Sequence, residues 1–302
     1  MNALLVLIGP TGTGKTELSL QLAERFGAPV ISADSRQLYK DLPVGTAAPS
    51  PEQQARIRHY MVGTLALDDY YSASRFEEEV LVLLKELFVL HPAVLMVGGS
   101  MLYIDAICKG LDEIPAVTPE VRKTLWKQYE REGIAVLLEE LKEADPVHYQ
   151  KVDRRNHRRV IHALEICRMT GRPYSSFCTR AVRERPFRII QIGLIRPREE
   201  LYERINRRVD RMMANGLVDE ARRVYPFRHL NALNTVGYKE LFRFFNGEWP
   251  LDTAVEQIKR NTRIYARKQM TWFKRDKSID WFHPDDITAI RAHVDQALNS
   301  QK

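Results

Sequence analysis

An apolar run, Leu4-Leu5-Val6-Leu7-Ile8, stops at Gly9-Pro10, and apolar residues then recur at Leu18, Leu22 and Phe26 before Gly27. The first pattern predicts a strand buried on both faces and the second a helix, so the chain opens strand, loop, helix. Pro29-Val30-Ile31-Ser32 predicts a second strand ending at Ala33-Asp34-Ser35. After a polar stretch with Pro43, Pro49 and Pro51, helical spacing returns from Arg75 to Leu90, at Phe76, Val80, Leu83, Leu84 and Leu87. Ala93 to Val97 is a further buried strand, closed by Gly98-Gly99-Ser100 rather than by an acidic residue. Ser100 faces the ligand site or caps the helix that follows; the spacing does not choose.

Between Pro115 and about Arg188 the pattern turns to helices without strands. Thr118-Pro119 predicts an N-cap and first turn for a helix through Tyr129, Ile134 to Ala144 a second, and Asn156 to Thr170 a third with Gly171 after it. On the third helix Arg158, Arg159 and His162, with Arg155 just before it, share a side opposite Val160, Leu164 and Cys167. The β pattern resumes over Arg188 to Ile195, followed by an amphipathic helix from Glu199 to Asn215 carrying Arg204, Arg207, Arg208 and Arg211, candidates to reach back to a phosphate, most of them expected to face solvent. Another helix starts in Thr235 to Leu241. Asp252 is the expected N-cap of the next, which bears Ile258, Tyr265, Gln269 and Trp272 on one face; Tyr265 and Trp272 read as core at that spacing. Ile279 to Phe282 predicts a last strand and Ile287 to Leu298 a terminal helix. The expected fold is therefore α/β, a parallel sheet flanked by helices with an all-helical insertion. The boundaries are 1–113 and 189–302 for a discontinuous core and 114–188 for the insertion.

Charge changes the picture more than composition does. The 302 residues carry a net charge of +7, and residues 151–188 hold eleven Lys/Arg against three Asp/Glu. A second basic cluster, 259–277, has eight Lys/Arg and only Asp276 against them. Two basic patches on a nearly neutral remainder point to a polyanionic partner, RNA or DNA. The N-terminus lacks the basic region of a secretory signal, and no apolar stretch approaches the roughly 20 residues that span a membrane. Cys108, Cys167 and Cys178 have no metal-ligand spacing and read as reduced thiols of a cytoplasmic protein. Nothing demands more than a monomer.

The candidate chemistry begins at Gly9-Pro10-Thr11-Gly12-Thr13-Gly14-Lys15-Thr16, which has the form G-x-x-x-x-G-K-[ST] with a strand before it and a helix after it. Backbone N–H groups and the helix dipole suit an anion there, Lys15 adds a charge, and the Thr16 hydroxyl suits magnesium. Strand ends carry the ligand in parallel sheets, so Asp34 belongs beside the bound phosphates, or else caps the segment after it.

Several segments together resemble the tRNA dimethylallyltransferases (tRNA isopentenyltransferases). They are Gly9 to Thr16, Ser32 to Tyr39, Val97 to Tyr103, Arg159 to Glu165, Gly237 to Leu241 and Arg267 to Phe273, in order along nearly the whole chain. The resemblance implies a P-loop NTPase-like core with an inserted tRNA-binding domain. It also implies transfer of a dimethylallyl group from dimethylallyl diphosphate to N6 of the adenosine 3′ of the anticodon, in tRNAs reading codons that begin with U. In that reading the loop holds the donor's diphosphate rather than ATP, with Mg2+ on Thr16. Asp34 is the general base, and Lys15 and Arg208 neutralise the leaving group. Ser100, where the family usually has Thr, lies near diphosphate and tRNA.

The resemblance places Ser35, Arg36 and Gln37 on the flipped adenine, in a channel between core and insertion. Arg122, Arg155, Arg158 and Arg159 hold anticodon-stem phosphates, and Gly237, Tyr238, Lys239, Arg267, Lys268, Gln269, Trp272 and Lys274 contribute from the C-terminal part. Two positions depart from the family pattern: Ala48 stands where Lys is common, and His162 where Arg is frequent. The competing readings are a P-loop nucleoside or nucleotide kinase and a nucleotide-regulated RNA-binding protein without chemistry.

Overall fold

A computed structural model describes residues 2–179 and 181–300. The order of elements follows the apolar pattern. β1 (Ala3–Ile8) feeds α1 (Lys15–Phe26), then come β2 (Val30–Ala33), α2 (Pro43–Thr46), α3 (Pro51–Arg56) and β3 (His59–Tyr60). α4 (Ala73–Leu90), β4 (Ala93–Gly98) and α5 (Met101–Lys109) complete the first half of the sheet unit. α6 (Pro119–Glu132), α7 (Ile134–Ala144), α8 (Pro146–Lys151) and α9 (His157–Thr170) follow. The chain returns through β5 (Arg188–Leu194), α10 (Arg198–Ala214), α11 (Leu217–Val224), α12 (Tyr238–Phe245), α13 (Leu251–Phe273), β6 (Asp280–Phe282) and α14 (Ile287–Asn299). α2, α3, α8 and α11, of eight residues or fewer, carry too little periodicity to stand out in the sequence.

The chain divides into two compact units, Met1–Cys108 with Arg185–Lys302, and Lys109–Glu184. In the first, the six strands lie in the order β3-β2-β4-β1-β5-β6, with every pairing parallel. β1 is central, and its residues alternate between two cores. Leu4, Val6 and Ile8 join one; Ala3, Leu5 and Leu7 join the other. That two-sided burial is why β1 reads as an unbroken apolar run. Ile8 lies in register with Gly98 on one side and Gly193 on the other, so the C-terminal ends of β1, β4 and β5 converge where the phosphate loop begins. At Gly98 a Cβ would sit 2.2 Å from the Ala33 carbonyl oxygen, so only glycine lets β4 close against the end of β2.

The second unit is helical, built on Leu125, Leu137, Leu141, Val160, Ile161, Ala163 and Leu164. Asp145, fully buried, accepts hydrogen bonds from the His148 and Ser175 amides (2.9 and 2.6 Å) and the Ser175 hydroxyl (2.8 Å). Thr118 precedes α6 but its side chain caps nothing, whereas Asn156 caps α9 through the Arg159 amide. One capping expectation is corrected: Pro250 occupies the N-cap of α13 and Asp252 lies in the first turn, where its charge complements the helix dipole.

Candidate active site

The phosphate loop leaves β1 at Gly9 and enters α1 at Lys15, and side chains bonded to its carbonyls hold its shape. The Thr13 hydroxyl donates to the Pro10 carbonyl at 2.8 Å, and the Arg204 Nε to the Gly12 carbonyl at 2.9 Å. Lys15 folds its Nζ back onto the carbonyls of Gly9 and Pro10, at 2.8 and 2.9 Å. The first helical amides of α1 have no intrahelical acceptor, which makes this helix start an anion cradle.

Beside the loop lies a cavity of about 730 Å³ lined by Lys15, Thr16, Asp34, Gln37, Arg208 and Tyr265 among others. Asp34 projects from the end of β2. Its Oδ1 accepts the Arg36 amide at 2.9 Å, closing a tight turn, while Oδ2 has no hydrogen-bond partner among the described residues. Asp34 thus both braces the turn and offers a carboxylate oxygen to the cavity. Arg208 reaches the Thr46 carbonyl at 3.3 Å. Burial, and then the Arg208 charge, lower the Lys15 ammonium to about 7, with Asp34 opposing. The Arg208 guanidinium is also lowered by burial, again against the pull of Asp34. Two buried cations therefore lie beside Asp34 with their charged forms disfavoured, an arrangement that an anionic ligand relieves. Tyr265 is 37% exposed, yet burial of its phenol, with Asp34 nearby, pushes its pKa up. The Tyr265 ring was expected in the core and instead lines the cavity.

Four of the five arginines of α10, Arg204, Arg207, Arg208 and Arg211, line this cavity. All four were candidates to reach a phosphate, but most were expected to face solvent, and only Arg208 was given a role. Their i, i+3, i+4, i+7 spacing showed a common face but not that the face abuts the loop.

Other expected site residues are placed differently. Ser100 is buried; its hydroxyl accepts the Ser35 amide at 2.8 Å and lies 3.2 Å from the Ser35 hydroxyl, so it fixes the turn after Asp34. Gln37 is held by Ser32 and by the carbonyls of Thr46 and Ala47. Gln269 is 2% exposed and accepts the Thr11 amide at 3.0 Å while donating to the Gly99 carbonyl at 2.8 Å. It ties the phosphate loop to the end of β4, so it is corrected from an RNA contact to a brace. The Trp272 indole donates to Asp105 at 2.7 Å, leaving it packed in the fold and not a stacking platform.

Tyr238 is fully buried, which overturns its reading as an RNA contact. Its hydroxyl donates to Glu220 at 2.6 Å, and the same buried carboxylate accepts the amides of Val44 and Gly45, both at 2.8 Å. This network holds the segment that carries Thr46. Tyr238→Phe is expected to cost about 1.5–3 kcal/mol, the range for a hydrogen bond to a charged group, read as a lower thermal midpoint with RNA affinity unchanged. Gly237 is buried as well, its amide donating to Glu240 at 2.8 Å, whereas Lys239 is exposed. Arg267, Lys268 and Lys274 are exposed on α13 and just past its end.

In the helical unit Arg122, half-exposed, pairs with the buried Glu165 at 3.1 Å. Glu165 also lies 3.2 Å from His162, so His162 completes a buried-carboxylate cluster. Arg155, Arg158 and Arg159 are exposed, with no side-chain partner among the described residues. Glu200, His283 and Asp285 are close enough to chelate a cation, but the Arg196 guanidinium already lies against all three.

Comparisons with known proteins fit this geometry. Residues 37–276 match the IPP transferase family model. The chain is 70% identical over 298 residues to tRNA dimethylallyltransferase 2 of Parabacteroides distasonis, covering 99% of this chain and all of that one. It superposes on the tRNA isopentenylpyrophosphate transferase of Bacillus halodurans with a TM-score of 0.73 at 31% identity, covering 99% and 97% of the two chains. A eukaryotic dimethylallyltransferase caught acting on tRNA shares the fold, with a TM-score of 0.80 at 24% identity over 98% of this chain and 77% of that one. These relatives support a transferase and not a kinase. A phosphate loop with two desolvated cations, a free carboxylate oxygen beside it, and 70% identity over the full length assign the chain to the tRNA dimethylallyltransferase family.

Proposed function

We propose that this chain transfers the dimethylallyl group of dimethylallyl diphosphate to N6 of the adenosine 3′ of the anticodon, in tRNAs reading codons that begin with U. The observation that carries the reading is that the buried cations Lys15 and Arg208 lie with the Asp34 carboxylate in one cavity. N6 attacks C1 of the donor, the C1–O bond breaks, and diphosphate leaves with the electron pair. Asp34 takes the N6 proton through its free Oδ2. Lys15, Arg208 and the open amides of the loop meet the charge that grows on the leaving oxygen. The adenine leaves its stack to reach this carboxylate, as bases do in other enzymes that modify them.

Thr16 is exposed at the cavity and its hydroxyl has no hydrogen-bond partner among the described residues, an oxygen donor that fits magnesium alongside phosphate oxygens. When bound, the ion neutralises diphosphate charge. Lys239, Arg267, Lys268 and Lys274, with Arg155, Arg158 and Arg159, supply phosphate contacts, and Ser35, Arg36 and Gln37 approach the base. No helix among the described residues is long and apolar enough to cross a membrane; the proposed setting is the cytoplasm, with the chain acting as a monomer.

The direct test incubates the protein with unmodified tRNA and labelled dimethylallyl diphosphate. Label in the RNA is expected; none, alongside ATP-dependent phosphorylation of a small acceptor, would overturn the reading. For the helical unit, replacing Arg155, Arg158 and Arg159 together should flatten the salt dependence of tRNA binding by about 0.7–0.9 per lost phosphate contact. An unchanged slope would make them ordinary solvated arginines.

A further inference from the structure

Arg196 belongs to no motif, yet its side chain is only 4% exposed, a rare state for an arginine unless it is fully paired. Its Nε donates to the Thr13 carbonyl at 2.9 Å, inside the phosphate loop. Its terminal nitrogens are held by Glu200 and by Asp285, the latter at 2.6 Å, with the His283 Nε2 3.4 Å away. The start of α10 and the segment between β6 and α14 thus aim one guanidinium at one carbonyl.

The peptide plane gives that aim a consequence. In a trans peptide the C=O and the next N–H point in opposite directions. Holding the Thr13 carbonyl toward Arg196 therefore turns the Gly14 amide the other way. Gly14 lines the cavity, its φ of 107° is one that a side chain would strain, and its amide has no acceptor among the described residues. No other described donor reaches the Thr13 carbonyl, so Arg196 makes the one hydrogen bond among the described residues that fixes the direction of this carbonyl.

We propose that Arg196 is a positioning residue that locks the Thr13–Gly14 peptide with its N–H toward the donor's diphosphate, and that Glu200 and Asp285 hold it in that aim. The proposal rests on the cavity being the diphosphate site. Its charge, already balanced by two carboxylates, acts through the loop and not on the ligand. Arg204, which holds the Gly12 carbonyl in the same manner, lines the cavity itself, whereas Arg196 lies behind the loop.

The test uses the full chain as wild type, Arg196→Met, Arg196→Lys and Asp285→Asn, with inorganic pyrophosphate as the probe in calorimetry and steady-state kinetics for both substrates. Arg196→Met is expected to weaken pyrophosphate binding and raise the donor KM by about ten-fold, the effect of one such hydrogen bond on an equilibrium. The KM for tRNA should not change. Arg196→Lys, which can still donate to the carbonyl, should recover most of the loss. Asp285→Asn should show about a two- to three-fold effect in the same direction, and it carries the test if Arg196→Met does not fold. Wild-type pyrophosphate affinity in the folded variants, or equal changes in KM for both substrates, would overturn the proposal. A wild-type protein that binds no pyrophosphate would instead overturn the diphosphate reading of the cavity.

Discussion

Asp34→Ala is expected to leave the fold and tRNA affinity intact while turnover falls by roughly 10²–10⁴-fold, the usual contribution of a positioned general base. The difficulty is that Asp34 has two jobs. Its Oδ1 closes the turn to Arg36, and losing that bond disturbs Ser35 and Gln37 beside it. Asp34→Asn separates them, because the amide oxygen still accepts from the Arg36 amide but the side chain takes up no proton. If the carboxylate is the base, Asn loses as much turnover as Ala. If Asn restores most of the rate, Asp34 serves only the turn.

Lys15→Met is expected to lower turnover by about 10²–10³-fold, the range for removing one preorganised donor from a developing oxyanion. Lys15 also predicts how binding responds to pH. Burial, then the Arg208 charge, hold its ammonium near 7 in the free protein. An arriving diphosphate favours the charged form, so the bound pKa lies higher. Below pH 7 Lys15 is already protonated and binding moves no proton on its account. Above pH 7 binding takes one up, and this contribution to affinity falls with rising pH until the bound pKa is passed. Calorimetry of pyrophosphate binding in two buffers of different ionisation enthalpy reads that proton directly. Wild type should take it up at pH 8; Lys15→Met should not, and the pair cancels the ligand's own titration. Equal proton counts in both would show that Lys15 takes up no proton on binding and would overturn this pH dependence.

Much of this site was legible in the sequence because its determinants are local. The glycine spacing of residues 9–16, the apolar run before it and the helical period after it together specify the loop and its surroundings. Asp34 was legible by the same logic, since a residue at the end of a parallel strand neighbours whatever the loop binds. What sequence did not carry was which partner each side chain would meet.

Tyr238 and Gln269 lie in segments shared with the family, but membership of such a segment does not distinguish a residue that touches substrate from one that braces what does. Glu220, 176 residues from Val44 in sequence, accepts that residue's amide. The ion pair of Arg122 with Glu165, 43 residues away in sequence, was likewise not legible before the fold brought them together. The arginines of α10 were under-read because amphipathic spacing reports a face and not what covers it. Arg196 gave no signal, and only the Thr13 carbonyl shows its purpose.

The central claim is that the phosphate loop holds a leaving group while RNA supplies the nucleophile. It is tested most directly by mass spectrometry of nucleosides from unmodified tRNA treated with wild type or Asp34→Ala, each with dimethylallyl diphosphate or ATP. The account predicts N6-dimethylallyladenosine next to the anticodon with wild type and dimethylallyl diphosphate, at most a trace with Asp34→Ala in the same time, and none with ATP. An unmodified adenosine in the wild-type reaction, or full modification by Asp34→Ala, would contradict it.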